Sequence, residues 1–167
     1  KALQLNPKSN DAYSALGSIY QTQADYPKAI EHLTKALQLN PNSAETYSNL
    51  GNLYATQGNY PKALDYYQKA IKINPNYADP YSNLGHIYNG QGNYEKAIGY
   101  FQEFLRLRPS SVDIYQALVD IYKRKGDKEK AYEYLNRYVS LKDSVSNLQN
   151  QNSINNLQAT FEMGRQE

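Results

Sequence analysis

Between Glu45 and Pro75 the apolar positions fall into two successive helical stripes. Tyr47, Leu50 and Tyr54 stand at i, i+3 and i+7, and Leu53 widens the band, which is one face of an amphipathic helix. The run Thr56-Gln57-Gly58-Asn59-Tyr60 then breaks the pattern with turn formers, and Pro61 sits where its fixed φ suits the first turn of a second helix. Ala63, Tyr67, Ala70 and Ile71 share a face of that second helix. Asn74-Pro75 ends it, because the residue before a proline is pushed out of the α region. Short connections make consecutive helices antiparallel neighbours, so the spacing predicts a first helix, A, packed on a second, B, and B packed on the next A.

The same arrangement recurs along the chain. Tyr13, Leu16, Gly17 and Tyr20 return 34 residues later as Tyr47, Leu50, Gly51 and Tyr54, then as Tyr81, Leu84, Gly85 and Tyr88. A fourth copy reads Tyr115, Leu118, Val119 and Tyr122, while Ala29, Ala63, Ala97, Ala131 and Pro7, Pro41, Pro75, Pro109 form series at the same step. Thirty-four residues is the length of a helix-turn-helix repeat. These residues closely resemble the tetratricopeptide repeat (TPR), whose signature places an aromatic, Leu, Gly and Tyr on helix A, Ala and an aromatic on helix B, then Pro. The resemblance covers Asn10 to Val145 and implies an all-α solenoid of stacked antiparallel helix pairs, wound as a right-handed superhelix. Its divisions are the end of a preceding repeat at 1–9, repeats at 10–43, 44–77 and 78–111, an atypical fourth at 112–145, and a segment with a capping helix at 146–167. Lys1 to Pro7 match Lys35 to Pro41 residue for residue, so the chain is expected to be a piece of a longer array.

Packing expectations follow from the small and aromatic positions. Gly17, Gly51 and Gly85 are expected to face the alanines of helix B and let two backbones approach, offsetting a helix cost of about 0.5–1 kcal/mol per glycine. All eighteen tyrosines lie between Tyr13 and Tyr138, and core packing is their default role, with Tyr66 and Tyr132 read as solvated.

The fourth repeat departs from the pattern: Val119 replaces the glycine, Phe104 and Tyr138 replace the alanine of Ala2, Ala36 and Ala70, and Asp143 stands where proline is expected. Added volume at close-contact positions should push helices apart or rotate them, and terminal repeats are commonly atypical, so this repeat reads as the closing end. From Asp143 the chain turns to Asn, Gln and Ser. Ile154, Leu157 and Phe161 make one stripe there, which predicts a cap over Leu135 and Tyr138. The stretch 157–162 is also similar to the helix that joins TPR arrays to bacterial sensor histidine kinases.

Composition narrows the function. No run of ten apolar residues occurs, so neither a membrane-spanning helix nor a signal-peptide core is present in the sequence. The absence of cysteine removes disulfides and thiolate chemistry and suits a cytoplasmic setting. A net charge of +2 with mixed signs lacks the field that gathers phosphates, and Lys123-Arg124-Lys125 is followed by Asp127 and Glu129 as at a solvated helix end. Nucleic acid and membrane insertion are therefore not expected. There is no glycine-rich phosphate loop, no His-Glu-x-x-His and no calcium loop, and His32 and His86 are the two histidines. No enzyme activity, cofactor or metal is expected.

Function then rests on surfaces. In the TPR family helix A lines the concave face, which places Ser14, Ser48 and Ser82, then Asn49 and Asn83, then Ser18, Asn52, His86 and Asp120 along a polar groove. Asparagine both donates and accepts, so these nine residues are the candidate peptide-binding groove, with asparagine pairing to the main chain of an extended segment. Polar residues equally suit a solvated groove with no ligand. Tyr47 to Asn52 resemble the asparagine ladder of O-GlcNAc transferase superhelices, without transferase residues. A carboxylate-clamping groove is disfavoured, since at its cationic and amide positions Ser14, Ser18, Asn49, Asp79 and Asn83 occur and Asn49 alone fits. The reading is a protein-interaction scaffold that takes a peptide segment or helix of a partner protein. The alternatives are a regulatory or dimerising segment of a signalling protein, and self-association through the solenoid ends or the tail helix.

Overall fold

A computed structural model describes residues 9–144, and every regular element in them is a helix. They are α1 (Asn10–Thr22), α2 (Tyr26–Leu39), α3 (Ala44–Thr56), α4 (Tyr60–Ile73), α5 (Asp79–Gly90), α6 (Tyr94–Leu107), α7 (Val112–Arg124) and α8 (128–144). The chain divides into two compact units, Lys1–Pro109 and Ser110–Glu167. In the first, α1 packs on α2, α3 on α4 and α5 on α6, while α2 and α4 each pack on the A helix that follows. The A helices α1, α3 and α5 also touch in sequence. This is the stacked helix-pair architecture that the 34-residue spacing predicts. The expected cap at Ile154, Leu157 and Phe161 and the kinase-linker resemblance lie outside the described residues.

Six of the eight described helices start on a side-chain cap. Asp25, Asn59, Asn93 and Asp127 stand at the 34-residue step and accept from the backbone N–H three residues on, of Lys28, Lys62, Lys96 and Lys130. Such caps contribute about 1 kcal/mol each. Ser9 and Ser43 cap α1 and α3 in the same way through Ala12 N and Thr46 N. At α5 the counterpart is Tyr77 and no side chain caps. The donor that a serine would satisfy there belongs to Pro80, which has none. Before each B helix the chain passes through positive φ, at Gly58, Gly92, Gly126 and, without glycine, at Ala24.

The close-contact glycines work differently from the sequence expectation. A Cβ on Gly51 would lie 2.5 Å from Tyr67 Cε1, one on Gly85 2.5 Å from Phe101 Cε1, and one on Gly17 2.5 Å from Leu33 Cγ. Ala29 approaches only through its carbonyl oxygen, 3.3 Å from the Gly17 position. The missing side chain therefore makes room for the large B-helix residue four positions past the alanine, and that residue is wholly or almost wholly buried in all three repeats.

Outside this core each repeat carries a column of rings. Tyr66 stacks on Tyr54 at 5.4 Å and 3° and on Tyr47 at 6.2 Å, with Lys62 over Tyr54 at 4.8 Å and Lys69 over Tyr66 at 5.3 Å. Tyr100 repeats this between Tyr88 and Tyr81, Tyr134 between Tyr122 and Tyr115, and His32 takes the place between Tyr20 and Tyr13. Tyr66, read from sequence as solvated, is half-buried in its column, while Tyr132 is 66% exposed.

Candidate functional site

The A helices of the first unit set the candidate groove residues into two hydrogen-bonded chains that cross between repeats. In the first, Ser18 Oγ donates to the Ser14 carbonyl at 3.2 Å, and Asn49 Nδ2 donates to Ser14 Oγ at 3.1 Å. In the second, Asn52 Oδ1 accepts twice, from Tyr67 Oη at 2.7 Å and from Asn83 Nδ2 at 2.9 Å. The first joins α1 to α3, and the second joins α4, α3 and α5. Gln21 Nε2 to Thr56 Oγ1 at 3.3 Å adds another link between α1 and α3. The chain thus fixes its own asparagines before any ligand arrives.

Burial sorts the nine candidates. Ser14 and Ser48 are 5% and 1% exposed, so their side chains are interior groups and are withdrawn from a ligand-facing role. The A helices come close enough to cover them. Asn49, Asn52, Asn83, Ser18 and Ser82 are half-buried. His86 is exposed, with its ring edge-on to Phe101 at 5.0 Å and 74°, beside a cavity of about 280 Å³ that Tyr60, Ile87, Gly90 and Gln91 also line. Asp120 belongs to the second unit, where it is exposed and accepts from Gln116 Nε2 at 3.1 Å. Sequence reading took Tyr67 for core alone and missed its hydroxyl. Burial pushes that phenol well above its ordinary value, so it remains a donor to Asn52 at physiological pH.

Among the described residues no group of three or more His, Cys, Asp or Glu is placed to hold a metal ion, and no helix is long and apolar enough to cross a membrane. The described ion pairs, such as Lys69–Asp65 at 2.8 Å and Arg108–Asp79 at 2.8 Å, are exposed.

Three tetratricopeptide-repeat models match the sequence, over residues 8–76, 50–119 and 89–150. The chain belongs to the TPR family. No curated protein matches it in sequence. Among solved structures it is similar to MamA, at 29% identity and a TM-score of 0.77 over 87% of this chain and 85% of that one. It is also similar to Pseudomonas aeruginosa PilF, at 24% identity and a TM-score of 0.75 over 83% of this chain and 63% of PilF. YrrB, a TPR protein with an unusual peptide-binding site, matches at 24% identity and a TM-score of 0.65 over 83% of this chain and 72% of its own. At that identity PilF and YrrB support the TPR fold alone. The TPR fold and its neighbours support a protein-interaction scaffold.

Proposed function

We propose that the chain is a non-enzymatic binding module whose A-helix face, in the first three repeats, receives an extended segment of a partner protein by its main chain. The observation that carries this reading is the geometry of Asn49 and Asn83. Each commits one N–H to a neighbouring repeat, which leaves a second N–H and a carbonyl oxygen on a half-buried amide. An extended peptide offers the complementary pair at every residue. Because the two side chains are already held by Ser14 and Asn52, little rotamer freedom remains to be lost on binding. The groove amides are neutral, so recognition does not depend on a cationic field. YrrB offers a precedent for peptide binding on this fold, and its likeness says nothing of which residues here would bind.

Peptides selected by phage display on the full chain provide the probe. The double variant Asn49→Ala/Asn83→Ala should weaken a selected peptide by about 1–3 kcal/mol in titration calorimetry, at a temperature where circular dichroism shows the variant folded. N-methylation of the peptide's central amides should weaken it comparably, and 0.5 M salt should change affinity little. Unchanged affinity in both the double variant and the methylated peptide would contradict the reading.

A further inference from the structure

In repeats one and two the ring column carries a lysine supplied by the chain itself. Lys35 lies over the Tyr13 ring at 6.0 Å and is held by Glu31 at 2.7 Å, one turn earlier on α2. Lys69 lies over Tyr66 at 5.3 Å and is held by Asp65 at 2.8 Å on α4. At the same two steps α6 carries Gly99 and Glu103, a glycine for the carboxylate and a carboxylate for the lysine. No atom stands within 4 Å of the place a Gly99 Cβ would take, and a cavity of about 320 Å³ opens beside it, lined by Tyr81, Lys96, Tyr100 and Glu103. Its aromatic walls are held in place: Tyr81 Oη donates to the Pro75 carbonyl at 3.0 Å, and Tyr100 stacks on Tyr88 at 5.6 Å and 4°. The charges around it run one cation short of repeat two. There Lys62, Lys69 and Lys72 stand with Asp65, whereas at those steps repeat three has Lys96 and Arg106 with Glu103. Lys96 lies over Tyr88 at 5.0 Å, and Arg106 Nε donates to Glu103 Oε2 at 2.8 Å.

We propose that this cavity is a binding site for a lysine side chain of a partner protein, its ammonium over the Tyr81 and Tyr100 rings beside Glu103, as Lys69 lies over Tyr66 beside Asp65. The negative face of an aromatic ring attracts an ammonium, and a carboxylate at hydrogen-bond reach adds to that attraction. A lysine brings an apolar stem as well, which covers the open ground at Gly99 and the ring walls while its head stays at the wet rim. Arg106 bonds Oε2 of Glu103, and a carboxylate accepts at both oxygens, so the arriving ammonium need not displace it. The added cation restores the count of charges that repeat two carries. None of the residues of this site belongs to the asparagine chains of the A helices, so it stands or falls separately from the groove.

The peptide acetyl-Gly-Lys-Gly-amide, titrated into the full chain and followed by nuclear magnetic resonance, tests this. The Gly99 amide and the Tyr81 and Tyr100 ring signals should shift and saturate, while Asp65 and Tyr66, whose site is filled by Lys69, stay in place. The same peptide with norleucine for lysine should bind at least about fivefold more weakly, having lost the charge and kept the stem. Gly99→Asp/Glu103→Lys rebuilds the pair of repeat two at two exposed positions and puts the chain's own cation over the rings, so it should abolish the shifts. Asn49→Ala/Asn83→Ala should leave them unchanged. A chain that shows no saturable shift at Gly99 would overturn the proposal, as would equal binding of the norleucine peptide or undiminished binding to the Gly99→Asp/Glu103→Lys variant. Tighter binding of the glutamate peptide would overturn it in favour of an acidic partner at Lys96. Should the double variant misfold, Glu103→Gln replaces it and should weaken the lysine peptide alone; equal affinity there would count against the proposal in the same way.

Discussion

In repeats one to three a glycine on helix A makes room for Leu33, Tyr67 or Phe101 from helix B; in repeat four Val119 fills that room. Val119 is wholly buried, and Leu135, the counterpart of Tyr67, is only half-buried and lines the open cavity on α8. The comparison shows what the family's glycine does in this chain. It is the socket for one large B-helix side chain.

The largest expected effect comes from closing a socket in the interior. Gly51→Val would put a side chain into the Tyr67 ring and should cost about 3 kcal/mol in urea unfolding. The double variant Gly51→Val/Tyr67→Leu rebuilds the Val119–Leu135 pair inside repeat two and should recover part of that loss, a coupling that a double-mutant cycle reads directly. A single-variant loss below about 1 kcal/mol would mean that Tyr67 can step aside, and the comparison would fail.

Tyr67→Phe sharpens the same comparison, because it keeps the ring in its socket and removes only the donor to Asn52. It should cost about 1 kcal/mol near neutral pH. Burial raises the phenols of Tyr67, Tyr66, Tyr77, Tyr81, Tyr100 and Tyr122, so the folded chain holds these protons longer than the unfolded chain does. Stability is therefore whole below about pH 10, the ordinary tyrosine value, and is lost as pH climbs through the raised folded values. Tyr67→Phe should flatten that alkaline decline. An identical alkaline slope in both proteins would remove Tyr67 as its main source.

The smallest effect is a gain. Ala24 has φ 58° where the other repeats have Gly58, Gly92 and Gly126. Ala24→Gly should relieve that strain and stabilise by about 0.5–1 kcal/mol, read as a higher melting temperature. A fall would show that repeat one does not share the turn of the others.

Much of this was legible in the residues. The period, the alternating stripes and the prolines set the helix pairs, because burying one face per helix at a fixed step leaves few arrangements. The capping series Asp25, Asn59, Asn93 and Asp127 was equally periodic but lay inside stretches that sequence reading takes for generic turns. Spacing identified the face that carries Gly51, yet a shared face does not say which side chain reaches across it, and the alanines were credited with what Tyr67 does. For the site, residue types pointed to Asn49, Asn52 and Asn83. Their bonding to Ser14, Tyr67 and one another depends on the distance between neighbouring A helices, which no single repeat encodes, and the same closeness buries Ser14 and Ser48.

The binding claim is tested most directly by following the asparagine side-chain amides by nuclear magnetic resonance while a phage-selected peptide is titrated into the full chain. The Nδ2–H₂ signals of Asn49 and Asn83 should shift and saturate together, with Asn52 following through its bond to Asn83, while exposed Asn42, in the loop before α3, stays in place. Saturable binding that leaves Asn49, Asn52 and Asn83 unmoved would contradict the account and place the partner on another face.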